Sequence, residues 1–509
     1  MEFQNKSLTF ASNLSKLMKQ EHNESYSHVL KYTGIFGGVQ GLMILIGLVR
    51  NKFVALLLGV GGMGLASLLT SVQNFASQCT NLGVSFGAVP RLSELYGQDK
   101  EQDLLRFIQV VRLWSLIAAV IGMIFCVAIS PFADTMTFTW GNHTLHYAVL
   151  GLSVAMLAIT GGETAILKAT RRLGALAKIQ LMTALLSLVI SIPLYYFLYH
   201  SGVMPVIVLT ALTTMLATIA YSYRCYPLRL SFNTQLLREG AGMIRLGVAF
   251  ILAAVIGSGA EMLIRAFLNV DGSLSDVGLY NAGYMITLTY AGMVFSAMES
   301  DYFPRLSGVN QDIEATNETV NKQMEVSLLL LSPMLSALIM SLPLLIPLLF
   351  SNEFVPVVAM AQVTVLAMYF KVQTLPVAYI TLARSLSLSY LMLETIYFAA
   401  LVILVIMGYR QWGLYGTGVA IVVAHIFDYV LINGYAYWKY GYRSTSQVRR
   451  YGFIQTLLGL AAFMVSLLCE SWLYWITEAA LVVASTAYSL IILRQKTHLW
   501  ESLKRRFRI

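Results

Sequence analysis

The chain has 509 residues, of which 57% are hydrophobic and only 12% charged, with a formal net charge of +9. Soluble domains carry about 25% charged residues, so this balance excludes a water-soluble globular protein and indicates an all-α polytopic membrane protein, whose perimeter lipid accepts as apolar. The positive charge invites a nucleic-acid reading, but the basic residues sit in short loops, where they report topology and attraction to anionic lipid headgroups instead.

Residues 1–28 are polar, with Lys6, Lys16, Lys19, Glu21 and Glu24. They lack the apolar core and small-residue cleavage site of a secretory signal, so they are expected to remain as a cytoplasmic tail. Apolar runs of about twenty residues, the length needed to cross roughly 30 Å of hydrocarbon, then centre on 32–50, 64–88, 108–130, 146–167, 173–199, 203–222 and 243–268. The series continues over 277–299, 326–349, 355–380, 385–408, 413–437, 452–469 and 472–493, making fourteen predicted spans. The shortest turns fall at His200–Gly202 and Glu470–Ser471.

Lys and Arg in the loops set the orientation. With the N-terminus cytoplasmic, 29 of the 34 basic residues lie on the cytoplasmic side, Arg50, Lys52, Arg265 and Arg410 lie outside, and Lys371 is left within the membrane. Both termini are therefore expected in the cytoplasm. The four cysteines, Cys79, Cys126, Cys225 and Cys469, have no metal or redox spacing.

The stretch GLASLLTSVQNFASQCTNLGVSFGAVPRLS (64–93) has a faint copy in GLYNAGYMITLTYAGMVFSAMESDYFPRLS (278–307). Both open on Gly-Leu and close on Pro-Arg-Leu-Ser, at a constant offset of 214 (278 − 64 and 304 − 90). We read this as an internal duplication. Spans 1 and 2 then match spans 7 and 8, so the unit is six helices, and an even number returns the chain to its starting side. The expected fold has two parallel six-helix lobes related by a pseudo-twofold axis along the membrane normal, with spans 13 and 14 outside the duplication. The lobes cover 29–222 and 243–437, joined by a cytoplasmic linker at 223–242; spans 13 and 14 occupy 438–493, and a basic tail occupies 494–509. Parallel six-helix halves are a transporter arrangement with the substrate bound between the lobes. One chain supplies both lobes, so a functional monomer is expected.

Polar residues that lipid would not accept mark the cleft. Span 2 carries Thr70, Gln73 or Asn74, Ser77 or Gln78, Asn81 and Ser85 at spacings of three to four, which places amides and hydroxyls on one face. Interhelical hydrogen bonding and a hydrated cavity wall both account for it. Asn281, Tyr284, Thr287, Thr289, Ser296 and Glu299 form a thinner version on span 8. Each ionisable residue in a span costs about 2.5 to 3.5 kcal/mol on insertion scales, and so needs a partner or a function. Lys371 has no carboxylate three or four residues away, and either pairs with Glu394 on span 11 or faces a cavity. Glu261 and Arg265 stand four apart, so a local ion pair is one reading; a substrate contact is the other, since Arg50 holds nearly the matching place on span 1. Glu163, Glu261, Glu394, His425, Asp428, Glu299 and Asp301 are candidates for proton or sodium coupling, with pairing to Lys168, Arg171 or Arg305 as the structural alternative. No GxxxxGK[ST] loop occurs, so energy is expected from an ion gradient, the membrane potential or removal of product. No metal or cofactor is expected.

The fourteen spans, the duplication, and the opening GLVRNKFVALLLGVGGMGLASLLTSVQNFASQCTNLGVSFGAV resemble the polysaccharide-exporter branch of the multidrug, oligosaccharidyl-lipid and polysaccharide flippase superfamily. SAMESDYFPRLSGVNQD, VNKQMEVSLLLLSP and IPLLFSNEFVPVVAMAQ are similar to O-antigen translocases. The resemblance implies a flippase of the bacterial cytoplasmic (inner) membrane that moves undecaprenyl-diphosphate-linked oligosaccharide from inner to outer leaflet by alternating access, with a polysaccharide polymerase complex as a possible partner. A diphosphate needs cationic, preferably Arg, coordination in a low dielectric. On this view Arg50, Arg265 and Lys371 serve the diphosphate, Gln73, Asn74, Gln78 and Asn81 the sugar, and the isoprenoid tail stays in lipid through a gap between lobes. The arginine motifs of the related lipid II flippase are not recognisable. A multidrug and toxin extrusion antiporter is the alternative, although it would have twelve spans and an acidic cavity; lipid II transport is a third reading. A membrane polymerase or ligase usually has a large catalytic loop, whereas the longest outer loop is 131–145, so no enzyme activity is expected.

Overall fold

The computed structural model describes residues 2–98, 100–137, 144–228, 234–384, 386–468 and 471–496, with the side chains of 2–40, 245–250 and 296–301 among those outside the description. Among the described residues all regular structure is helical. The elements are α1 (Glu2–Thr80), α2 (Val84–Gly97), α3 (Glu101–Thr137), α4 (Thr144–Ala169), α5 (Leu173–Leu198), α6 (Val203–Cys225), α7 (Thr234–Phe267) and α8 (Leu274–Val309). They are followed by α9 (Ile313–Leu349), α10 (Val358–Ala383), α11 (Ser387–Tyr440), α12 (Ser446–Leu468) and α13 (Ser471–Lys496). Among the described residues ten segments are long and apolar enough to cross a membrane, so the protein is multi-pass. Three of them, of 40, 53 and 54 residues, each cover two predicted spans. At about 1.5 Å per residue even 40 residues extend roughly 60 Å, twice the hydrocarbon thickness. With α8 added, every predicted span has its helix.

The connections differ from the sequence reading where glycine does the turning. The break expected between spans 1 and 2 is narrower than 51–63: two helical segments of α1 meet at Gly59, whose φ of 66° lies in the left-handed region open to glycine at little cost. The break between spans 11 and 12 is likewise a kink at Trp412–Gly413 inside α11, with Gly413 at φ 59°. Span 2 ends earlier than 88, because Leu82 and Gly83 both take positive φ and break the helix between α1 and α2. The segment read as the linker at 223–242 is helical at both ends, since α6 runs to Cys225 and α7 starts at Thr234. Arg245, Glu299, Asp301 and Cys469 lie outside the described side chains.

Helix α10 is the most enclosed element, packed by α8, α9, α11 and α12. Val365, Tyr369 and Val372 are fully buried there, and the Tyr369 hydroxyl donates to the carbonyl of Ser332 at 3.1 Å, inside the largest hydrophobic cluster. A smaller cluster joins α2, α3 and α4 through Leu92, Ile108, Val111 and Ile166.

The repeated glycines meet. A Cβ on Gly64 would lie 1.8 Å from the carbonyl oxygen of Leu274, and one on Gly278 would lie 2.1 Å from that of Val60. Val60 and Leu274 are themselves 214 residues apart, so the contact is reciprocal: each copy presents its carbonyl to the other's glycine. Backbones approach this closely only where neither helix carries a side chain, which is how small residues pack helices in a membrane that supplies no hydrophobic drive between them.

The N-terminal half holds a buried ion pair. Arg112 (α3) donates through Nε to Glu163 Oε1 (α4) at 2.8 Å and through Nη2 to Oε2 at 3.3 Å. Nη1 and Nη2 also reach the carbonyls of Pro227 and Tyr226 at 3.0 and 2.8 Å, and the guanidinium stands 4.5 Å from the centre of the Tyr223 ring. Ser222 donates to the same carboxylate. Arg112, one of the 29 basic residues read as cytoplasmic, is only 4% exposed within α3, and Glu163 pairs with it rather than with Lys168, Arg171 or Arg305. The pair ties α3 and α4 to the end of α6 and the start of the linker.

Two variants test these contacts by thermal unfolding in detergent. Gly278→Ala is expected to cost about 1 to 3 kcal/mol through overpacking against backbone, while Gly292→Ala, with nothing within 4 Å, leaves the midpoint unchanged. Glu163→Ala strands a buried guanidinium and is expected to cost about 3 to 5 kcal/mol; an unchanged midpoint would show that the pair does not hold the α3–α4–α6 junction.

Candidate functional site

The segment of α1 beyond Gly59 faces α7 and α8 across a polar cavity. Ser67, Thr70 or Ser71, and Asn74 repeat at three to four residues, so they share one face of α1, and that face lines a cavity of about 240 Å³. Arg50 enters it from the first segment of α1, Tyr195 from α5, Glu261 and Arg265 from α7 and Asn281 from α8. A larger chamber of about 560 Å³ adjoins it, sharing Ser71, Asn74 and Glu261 and adding Gln78, Tyr390 and Glu394. Together the chambers grade from a cationic end, with Arg50 and Arg265, to an acidic end, with Glu261 and Glu394.

The two arginines differ in commitment. Arg265, 7% exposed, donates from Nε to Ser67 Oγ at 2.9 Å, from Nη1 to Glu261 Oε2 at 3.1 Å and from Nη2 to Asn281 Oδ1 at 3.3 Å. Ser67 and Asn281 are again 214 residues apart, so Arg265 bridges the same position of both repeat copies. Most of its donors are spent, and its charge is shared with the half-exposed carboxylate of Glu261. Arg50 Nε, in contrast, is buried with no hydrogen-bond partner. An unfilled guanidinium donor costs its desolvation without compensation, so the position favours an acceptor in the cavity.

Other sequence candidates are distributed as follows. Asn74 and Gln78 line the chambers, but Gln73 is buried at 7% exposure and Asn81 sits at the end of α1 accepting from Ser85 at 3.4 Å. Lys371 stands with Nζ 5.7 Å from the centre of the Phe295 ring and is not among the residues lining either chamber. Its charge is felt at Glu394, His425 and Asp428 on α11, of which Glu394 lines the larger chamber. His425 is held there by the carbonyl of Ile421 at 2.9 Å and faces the Tyr397 hydroxyl at 3.4 Å. Glu163 lies with Arg112, away from both chambers. Among the described residues no group of three or more His, Cys, Asp and Glu is placed to hold a metal ion.

Sequence reasoning passed over Ser67, Tyr195 and Glu478. Ser67 continues the span 2 stripe by one turn, a signal present in the spacing. Tyr195 comes from another helix and had none. Glu478, fully buried in α13 with neither carboxylate oxygen hydrogen-bonded, was visible as the lone acid in the run LYWITEAALVV.

Solved structures share this fold. The lipid II flippase MurJ in an inward closed conformation aligns at a TM-score of 0.70 with 12% identity, over 90% of this chain and 99% of that one. An inward-facing multidrug resistance MATE family transporter of the MOP superfamily aligns at 0.64 with 14% identity, over 80% and 96%. A MOP superfamily transporter from Pyrococcus furiosus aligns at 0.58 with 12% identity, over 85% and 96%. No curated protein matches by sequence. Residues 53–359, more than half of the chain, match the family described as Polysaccharide biosynthesis protein, and the chain belongs to that family.

Proposed function

We propose that this protein is a flippase that carries an undecaprenyl-diphosphate-linked oligosaccharide, an O-antigen or similar surface-polysaccharide repeat unit, from the inner to the outer leaflet of the bacterial cytoplasmic membrane. The observation that carries this reading is Arg50: a buried, unfilled guanidinium donor that shares a cavity with a second arginine and an amide- and hydroxyl-bearing helix face. A diphosphate offers charged acceptors to such donors, and planar guanidinium binds phosphate oxygens with two parallel bonds. The hydroxyls and amides of Thr70, Ser71, Asn74 and Gln78 suit a sugar. Membership of a polysaccharide biosynthesis family favours a glycan cargo over a drug.

In this proposal the termini are cytoplasmic, and two parallel six-helix lobes rock about the reciprocal Gly64–Gly278 crossing. Glu261, Glu394 and Asp428, with Lys371 nearby, couple transport to an ion gradient, and the chain acts as a carrier without catalysing a bond change. A cation antiporter is the second reading, favoured by Glu261 and Glu394 on the larger chamber.

Deleting the gene is expected to raise undecaprenyl-diphosphate-linked oligosaccharide and to remove surface polysaccharide. Unchanged glycolipids with new sensitivity to cationic dyes would move the assignment to drug export. Arg50→Gln is expected to lower transport about 10- to 100-fold, since a hydrogen bond to a charged group contributes about 1.5 to 3 kcal/mol and about 1.4 kcal/mol is tenfold. Protein abundance should hold; parallel loss of abundance and transport would make Arg50 a structural residue.

A further inference from the structure

On the other faces of the same two helices lies a third cavity, of about 540 Å³, whose lining is apolar except for Asp271. That carboxylate is already held by Arg410 Nε at 2.9 Å. The register is what connects this cavity to the polar ones. Ser71 and Asn74 line the polar chambers while their neighbours Val72 and Phe75 line the apolar cavity; on α7, Glu261 and Arg265 stand beside Met262 and Ala266 in the same way. Charged and apolar chambers therefore sit at one level of the bundle, back to back across α1 and α7. Phe75, which lines the apolar cavity, packs on Gly259 where α1 meets α7; a Cβ there would lie 3.1 Å from the ring. Leu263 and Val270, 53% and 43% exposed, lie at the outer edge of the cavity, on the surface that membrane lipid covers.

We propose that this apolar cavity between α1, α3, α7 and α11 seats the polyisoprenoid chain of the substrate, with its diphosphate in the polar cavity behind Phe75 and Gly259. The inference rests on the flippase reading and adds the place where the lipid leaves the bundle. The volume falls within the roughly 300 to 1,000 Å³ of small-molecule sites. Water is a poor occupant, because the walls supply almost none of the two to four polar partners that a buried water needs. The hydrocarbon chain must part from its polar head beside the diphosphate, and this side of the α1–α7 pair offers an apolar pocket next to Arg265.

The test is photolabelling of the full-length protein in lipid nanodiscs with a polyprenyl diphosphate carrying a diazirine on the isoprene units nearest the head. Label is expected on peptides covering 122–133 and 262–270. Val402→Trp, which fills the cavity from α11, should cut it about tenfold by excluding the chain from a close-packed interior, with labelling of the lipid-facing α12 unchanged. Should that variant fail to accumulate, Val270→Trp fills the cavity from its exposed edge and is expected to act alike. Label confined to the outer helices, label unaffected by the filling variant that folds, or equal labelling by a diacyl phospholipid bearing the same diazirine would overturn the proposal. The flippase reading stands or falls separately, on whether the deletion strain accumulates lipid-linked oligosaccharide.

Discussion

Where α1 crosses α8 the two backbones are so close that neither Gly64 nor Gly278 leaves room for a methyl group. Leucine tails and lipid tails are equally apolar, so helices in a bilayer associate through close packing and polar contacts. This crossing supplies the close packing, and one turn away Ser67, Asn281 and Arg265 supply the polar contact. The positions correspond across the repeat, 60 with 274, 64 with 278 and 67 with 281. Each segment therefore presents its carbonyl to the other's glycine at the same offset, and one turn on Ser67 and Asn281 line the polar cavity.

The helical frame was legible because membrane spans announce themselves by length and composition, and all fourteen predicted runs coincide with helices. The connections were less legible. A bend at Gly59 or Gly413 needs only one residue at positive φ, and a turn of one residue leaves no polar interruption to read. Around the site, the stripe on span 2 was legible from its spacing, but its edges were not. Gln73 and Asn74 are adjacent and chemically alike, and only packing shows that Asn74 opens on the chambers while Gln73 is buried. The Arg112–Glu163 pair was illegible for another reason: its members are 51 residues apart, and a basic residue near a span end reads equally well as a topology signal.

The ionisable residues divide by how they are compensated. Arg112 is satisfied on all sides by a carboxylate, two carbonyls and a tyrosine ring, which is the arrangement a buried charge needs to be structural. Arg265 is intermediate, tied to three helices yet sharing its counterion with an open cavity. Arg50 is the least compensated of the three. Lys371 stands 5.7 Å from the Phe295 ring centre, and its charge is felt at Glu394, His425 and Asp428 on the neighbouring helix. The charges thus differ in how far the chain itself satisfies them, a difference that the sequence alone does not show.

That division bears on why the cationic cavity persists. Replacing a buried charged group by a well-packed apolar one is often neutral or stabilising, and local rules are broken chiefly at functional sites. Arg50 could be exchanged for a leucine with relief of an unfilled donor, yet it stands in a cavity of hydroxyls and amides whose carboxylate, Glu261, is paired with Arg265. A structural role would have placed an acid beside it, as Glu163 stands beside Arg112. Arg50 Nε thus lacks the pairing that completes Arg112, and the apolar cavity lies on the opposite faces of the same two helices, α1 and α7.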